Sequence, residues 1–125
     1  MAKLIRWVAI GTAIAIGAPA VLAQDSKVVS PAKIITKTLL GSQAQKECFS
    51  LNSRQRLFYR FRADGPLDFK LSHQEDREVI DVRRNNADAD SGSFAPGKSA
   101  DHCLVWSNTG KNSVTLEYEY QRGPL

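Results

Sequence analysis

Two histidines, His73 and His102, are the side chains of this 125-residue sequence best suited to acid–base chemistry or to metal binding. Imidazole nitrogens bind zinc together with thiolates or carboxylates. Both histidines lie in or near predicted strands, and Asp101, which precedes His102, points to the opposite side of its strand. We therefore predict ordinary histidines at strand ends, with no metal ion, no cofactor and no catalytic residue.

A second candidate for cation binding is the polar segment 84–92, RNNADADSG. Oxygen-bearing side chains alternate in it as in a calcium loop, at Asn86, Asp88 and Asp90. The EF-hand pattern also needs glycine at its sixth position and an acid at its twelfth. Those positions hold Ser91 and Gly97, so the pattern fails and we predict an exposed loop.

A basic stripe is the best candidate for a binding surface. Residues 56–63, RLFYRFRA, alternate with period two, and with Lys70 of the next strand the outward set is Arg56, Phe58, Arg60, Arg62 and Lys70. Such a face could bind phosphate, an anionic glycan or an acidic partner. Alternatively, Asp68, Glu117 and Glu119 on neighbouring strands balance its charge. The exposed aromatic ring of Phe58 favours binding.

The two cysteines, Cys48 and Cys103, are predicted to form one disulfide, because paired cysteines are usual in exported proteins. The bond would close a loop of about 56 residues, which in the chain-entropy treatment stabilises the fold by roughly 4 kcal/mol. No C-x-x-C motif or catalytic Cys–His pattern accompanies them. Cys103 lies in the stretch 101–120, which we interpret as a hairpin of two strands.

Residues 1–23 have the pattern of a secretory signal peptide. Lys3 and Arg6 precede the apolar segment 7–16, and cleavage is expected between Ala23 and Gln24. The alternative is an uncleaved anchor, but the segment is shorter than the ~20 apolar residues of a membrane-spanning helix. We expect export to a periplasm or to the outside medium, with no transmembrane segment after cleavage.

Cleavage would leave residues 24–125, enough for one domain. We divide them into a flexible leader 24–32, a β-sandwich domain 33–121 and a tail 122–125. Loss of the two basic residues of the signal peptide lowers the formal charge from +4 to +2. Because acids are interspersed among the remaining bases, we expect no nucleic-acid or anionic-membrane partner.

The mature sequence predicts an all-β fold, an antiparallel β-sandwich of about seven or eight strands with one disulfide. The predicted strands are 33–40, 47–52, 56–63, 67–74, 78–83, 93–95 and two within 101–120. In 78–83 we expect Ile80 and Val82 on the same face. Trp106 and Tyr118 could line a ligand groove, but core packing is the favoured interpretation.

Several of these residues together resemble the GOLD domain of the emp24/p24 type. The residues that carry the resemblance are Cys48, Phe94, Gly97, Cys103, Trp106 and Asn108. The resemblance implies a disulfide-containing β-sandwich that acts as a protein- or lipid-interaction module and not as an enzyme. Membrane-anchored members continue into a coiled coil, a transmembrane helix and a cytosolic tail. This sequence ends at Leu125, so we expect a stand-alone exported version.

The functional expectation is a non-enzymatic interaction module that binds a protein of the cell envelope or the extracellular space. The alternative is a sandwich that binds lipid, glycan or an anion on the basic face. A small hydrolytic enzyme is a third interpretation, although no nucleophile elbow, phosphate loop or H-E-x-x-H motif is present.

Overall fold

The computed structural model describes residues 33–125, so the predicted signal peptide 1–23 and the leader 24–32 lie outside the described residues. The described chain is all-β, as predicted. Its strands are β1 (Ile35–Leu39), β2 (Ala44–Leu51), β3 (Gln55–Gln74), β4 (Glu78–Phe94), β5 (Ala100–Ser107) and β6 (Val114–Pro124). Among these residues, no helix has the length and apolar character needed to cross a membrane.

The 20-residue strand β3 organises the fold. Its first half, residues 55–63, pairs with β6, whereas residues 68–73 pair with β5. β4 follows β3 along both halves. One continuous antiparallel sheet therefore curls into two facing layers, the first in the order β1-β6-β3-β4 and the second in the order β2-β5-β3-β4.

Six strands are described where seven or eight were predicted, because two pairs of predicted strands are continuous. The break between the predicted strands 56–63 and 67–74 is a register shift within β3, between Arg62 and Leu67. The predicted loop 84–92 is wrong, since these residues form the second half of β4. Among residues 33–125, β4 pairs only with β3, so it is an edge strand of the described sheet. Its mostly exposed side chains lack the alternation that would identify a strand.

The core lies between the two layers and consists of inward side chains of β1, β2, β3, β5 and β6. The Trp106 ring is central, with its centroid 4.2 Å from that of Tyr118 and 5.5 Å from that of Phe69. Trp106 and Tyr118 are each 1% exposed, so they pack in the core. The other buried apolar residues are Leu39, Leu51, Leu57, Tyr59, Phe61, Leu67, Phe69, Leu71, Leu104, Val114 and Leu116.

The predicted hairpin over 101–120 is wrong, because β5 and β6 do not pair with each other. β5 pairs with β2 and β3, and β6 pairs with β1 and β3. The connection between them crosses from one layer to the other. Buried Asn108 holds this crossing: its Nδ2 donates to the carbonyls of Leu39 (3.0 Å) and Asn112 (2.8 Å), and its Oδ1 accepts from Gly110 N.

The chain ends in regular structure. β6 continues through residues 122–124, which were assigned to the tail, and Pro124 lies opposite Gln55 of β3. The backbone amide of Leu125 donates to the carbonyl of Arg54 over 3.1 Å.

Candidate functional site

The predicted disulfide between Cys48 and Cys103 is present. The two residues lie directly opposite each other on β2 and β5, with their Cα atoms 4.1 Å apart. Both side chains are on the outward face of the second layer, and Cys48 is exposed. The bond therefore joins an edge strand to its neighbour within one layer, and it leaves no thiolate for catalysis or metal binding.

The arginines of the predicted binding face are largely neutralised by neighbouring glutamates. Arg60 pairs with Glu119, and Arg62 Nε lies 2.9 Å from Glu117 Oε1. Both glutamates are on β6, so the charge-balanced alternative considered from the sequence describes this part of the face. Arg56 Nη1 instead donates to the Ser93 hydroxyl over 3.3 Å.

The structure brings four of the five predicted binding residues together. Arg56, Phe58, Arg60 and Arg62 lie on the outer face of the first layer, where Phe58 is 44% exposed. Lys70 lies in the second layer, opposite Val105 of β5, and pairs with Glu78 at 2.9 Å. It does not extend the stripe.

A groove of about 600 Å³ lies over this outer face. Ion pairs of the first layer line it together with the β4 segment 89–91 and Ile34. The lining has carboxylates as well as guanidinium groups, because Glu117, Glu119 and Asp90 all contribute to it. Ile34, just before β1, is 59% exposed and adds apolar surface at the margin. The groove thus offers mixed charge with an apolar edge.

A separate polar cluster lies at the end of the second layer and contains both histidines. His73 of β3, Asp81 of β4 and His102 of β5 each offer a ligand atom, and these atoms all lie within 4.8 Å of one another. The two imidazole centroids are 5.0 Å apart. The structure thus brings together the two histidines that were predicted as ordinary strand-end residues, and Asp81 is a member of the cluster that sequence reasoning missed.

A register shift in the β3–β4 pairing places Asp81 in this cluster. Leu71 lies opposite Val82 and the next residue, Ser72, lies opposite Ile80, so Asp81 is the extra residue of a β-bulge. Bulges re-aim side chains in this way. The bulge also separates the two apolar residues expected on one face, since Val82 packs against the core and Ile80 is 37% exposed. No local sequence signal indicated it.

His73 lies between two carboxylates. Its Nδ1 is 2.7 Å from Asp81 Oδ2, and its Nε2 is 2.7 Å from Glu75 Oε2. The hydrogen bond to Asp81 and, to a smaller extent, the hydrogen bond to Glu75 raise the pKa of His73 above its ordinary value. His73 in turn lowers the pKa of Glu75, with a smaller contribution from Lys98. Both contacts thus favour the charged form of the His73 imidazole over the neutral form.

His102 is 1% exposed and is oriented by the backbone. Its Nδ1 lies 3.1 Å from the carbonyl oxygen of Ala100. A carbonyl oxygen only accepts, so Nδ1 carries a proton and donates it to this carbonyl. The other nitrogen, Nε2, faces Asp81 Oδ2 at 3.7 Å.

No family model matches the chain, and no curated protein matches its sequence. Among solved structures, it is similar to the Yersinia pseudotuberculosis-derived mitogen, with a TM-score of 0.55 over 74% of this chain and 86% of that chain. The identity is 8%, so the likeness shows the fold alone. A de novo designed double-stranded β-helix matches at 14% identity, with a TM-score of 0.39 over 71% of this chain and 99% of that chain.

Proposed function

We propose that this protein is an exported, non-enzymatic binding module whose partner is a protein of the cell envelope or the extracellular space. The observation that supports this proposal is the mixed-charge groove over the outer face of the first layer. The exposed disulfide agrees with an oxidising compartment, where such bonds persist. The resemblance to GOLD domains stays a prediction that points to the same class of function.

The ion pairs in the groove favour a protein over a small anion. Arg60 and Arg62 already have the carboxylates of Glu119 and Glu117 as partners. A small anion would have to compete with both. A protein surface that carries charges of both signs can form new pairs with the arginines and the glutamates at once, and charge complementarity of this kind gives specificity.

Site-specific photo-crosslinking in living cells tests the groove. We would place the crosslinker at Ser91, an exposed residue that lines the groove, and at Lys46 as the control. Lys46 is also exposed but lies on β2 of the second layer. The proposal predicts one reproducible protein adduct from position 91 that is absent from position 46. The same adducts from both positions, or none, would contradict a partner bound in this groove.

A second candidate function is binding of an anionic glycan or lipid headgroup at Arg56 and Phe58. Arg56 has no carboxylate partner among residues 33–125, and Phe58 beside it is 44% exposed. The variant Arg56→Glu should abolish such binding and leave the melting temperature nearly unchanged. If Arg56→Glu and the wild type bind an anionic glycan or an anionic lipid vesicle equally well, this candidate is excluded.

A further inference from the structure

We propose that His73, Asp81 and His102 form a binding site for one divalent first-row transition-metal ion, with zinc as the representative. This site shares no residue with the groove and does not rest on the proposed function. Two imidazole nitrogens and one carboxylate oxygen are ligands that zinc accepts. They come from three neighbouring strands, so the sheet itself holds them together.

The spacing of the donor atoms is close to what such an ion needs. His73 Nδ1 and Asp81 Oδ2 are 2.7 Å apart, and Asp81 Oδ2 and His102 Nε2 are 3.7 Å apart. Ligands at zinc–ligand distances of about 2.0–2.1 Å in a tetrahedron are about 3.3 Å from one another. One contact would open by about half an ångström and the other would close by a similar amount. The two histidine donors lie within 4.8 Å of each other and would also have to move to about this separation.

Both histidines are already oriented as metal ligands usually are. A metal-bound histidine commonly donates its other ring N–H to a carboxylate or a backbone carbonyl. Glu75 accepts from His73 Nε2 at 2.7 Å, and the carbonyl of Ala100 accepts from His102 Nδ1 at 3.1 Å. The remaining nitrogens, His73 Nδ1 and His102 Nε2, both face Asp81.

The donors lie in a largely dry place, since the side chain of His102 is 2% exposed and that of Asp81 is 13% exposed. A metal ion bound to all three atoms would contact Asp81 Oδ2 and the two nitrogens that face it, and His73 Nδ1 would then carry no proton.

Glu75 is more exposed than the three donor residues. The side chains of His73 and Asp81 are 11% and 13% exposed, whereas that of Glu75 is 42% exposed. An ion can thus reach the three donors from solvent, and a fourth ligand could be water. Phe94 packs against His102 on another side, with ring centroids 5.6 Å apart.

Metal titration of the untagged, exported protein tests the site. After chelator treatment and dialysis, we would add Zn²⁺ under calorimetry and measure bound zinc by elemental analysis after gel filtration. Co²⁺ serves as a spectroscopic probe, because a tetrahedral site gives intense visible absorption. The expected result is one zinc per chain and a tetrahedral cobalt spectrum. Absence of zinc binding at millimolar concentration, or binding of calcium in preference to zinc, would overturn the proposal.

The variants distinguish this cluster from adventitious surface binding. Asp81→Asn and His73→Gln should each weaken zinc binding by at least about tenfold, and Glu75→Gln should weaken it by about tenfold through the orientation of His73. Asp101→Asn is the matched control. Asp101 is next to His102 in sequence, but its carboxylate accepts a hydrogen bond from the Ser50 hydroxyl on the outward face. The zinc affinity of Asp101→Asn should therefore equal that of the wild type. Equal affinity in Asp81→Asn and wild type would overturn the proposal even if zinc bound.

Discussion

The hydroxyl of Tyr118 donates a hydrogen bond to the carboxylate of Glu47 over 2.5 Å, and this bond joins the two layers. Tyr118 belongs to β6 of the first layer and Glu47 to β2 of the second, and these strands do not pair with each other. Gln45 donates to the same hydroxyl over 2.9 Å, and Tyr120 donates to the other oxygen of Glu47 over 3.3 Å. The cluster thus connects strands that no backbone ladder joins.

This cluster predicts a loss of stability in alkaline solution. Burial, and then the hydrogen bond to Glu47, raise the pKa of Tyr118 far above its ordinary value of 10.0. Above pH 10 the unfolded chain loses this proton while the folded protein keeps it, so the free energy of unfolding falls as pH rises. Urea unfolding between pH 7 and 11 should show a shallower alkaline fall for Tyr118→Phe than for the wild type. Parallel profiles would contradict the prediction.

At neutral pH, Tyr118→Phe should lower the free energy of unfolding by about 1–3 kcal/mol, because Glu47 and Gln45 lose a partly buried partner. Gln121→Ala is a suitable control on the same strand, since its side chain makes no hydrogen bond among the described residues. The two variants should differ clearly in urea midpoint at pH 7. Equal midpoints would mean that the hydroxyl does not connect the layers energetically.

Removal of the disulfide should destabilise the domain without disturbing its core. Cys48→Ser and Cys103→Ser each abolish the bond between β2 and β5, and chain entropy predicts a loss of roughly 4 kcal/mol. Because the bond lies on the outward face, serine leaves no cavity. The double variant should lose about as much as either single variant in urea unfolding without reductant. Additive losses would mean that each cysteine contributes independently.

Asn108→Ala should be the most damaging change in the loops. It removes the amide that bonds the carbonyls of Leu39 and Asn112 in a buried crossing, and each unsatisfied group costs about 1–3 kcal/mol. Asn112→Ala is the matched control, because its bond to Asn108 uses the backbone carbonyl and its side chain is exposed. Thermal unfolding should show a large fall for the first variant and little change for the second.

Charge reversal at Arg62 should alter binding and hardly alter stability. Its pair with Glu117 is exposed, with side-chain exposures of 77% and 40%, and pairs of this kind contribute about 0–1 kcal/mol. Arg62→Glu should therefore unfold within about 1 kcal/mol of the wild type and yet lose the crosslinked partner from position 91. The charge swap Arg62→Glu with Glu117→Arg restores the internal pair. If the partner recognises which strand carries each charge, this double variant will not recover the crosslinked adduct at position 91.

The period-two alternation predicted much of the fold, because burial on one face of a sheet selects apolar residues at every second position. It placed Arg56, Arg60 and Arg62 of β3 outside, and Leu57, Tyr59 and Phe61 between them are buried. The disulfide was also predictable, since the sequence holds only two cysteines. The first inference depends on a local pattern and the second on composition. Neither inference requires knowledge of the strand order.

Strand pairing and register, which depend on contacts distant in sequence, were decided by the tertiary structure. Residues 84–92 are a strand because β3 pairs with them, although an edge position leaves them polar. β5 and β6 both pair with β3, but in different layers. Because the connection between them is short, the sequence suggested instead that they pair with each other. The bulge at Asp81 is one extra residue in one ladder. It brings the Asp81 carboxylate to His73 and His102. No local pattern in any single strand predicts that these three side chains lie together.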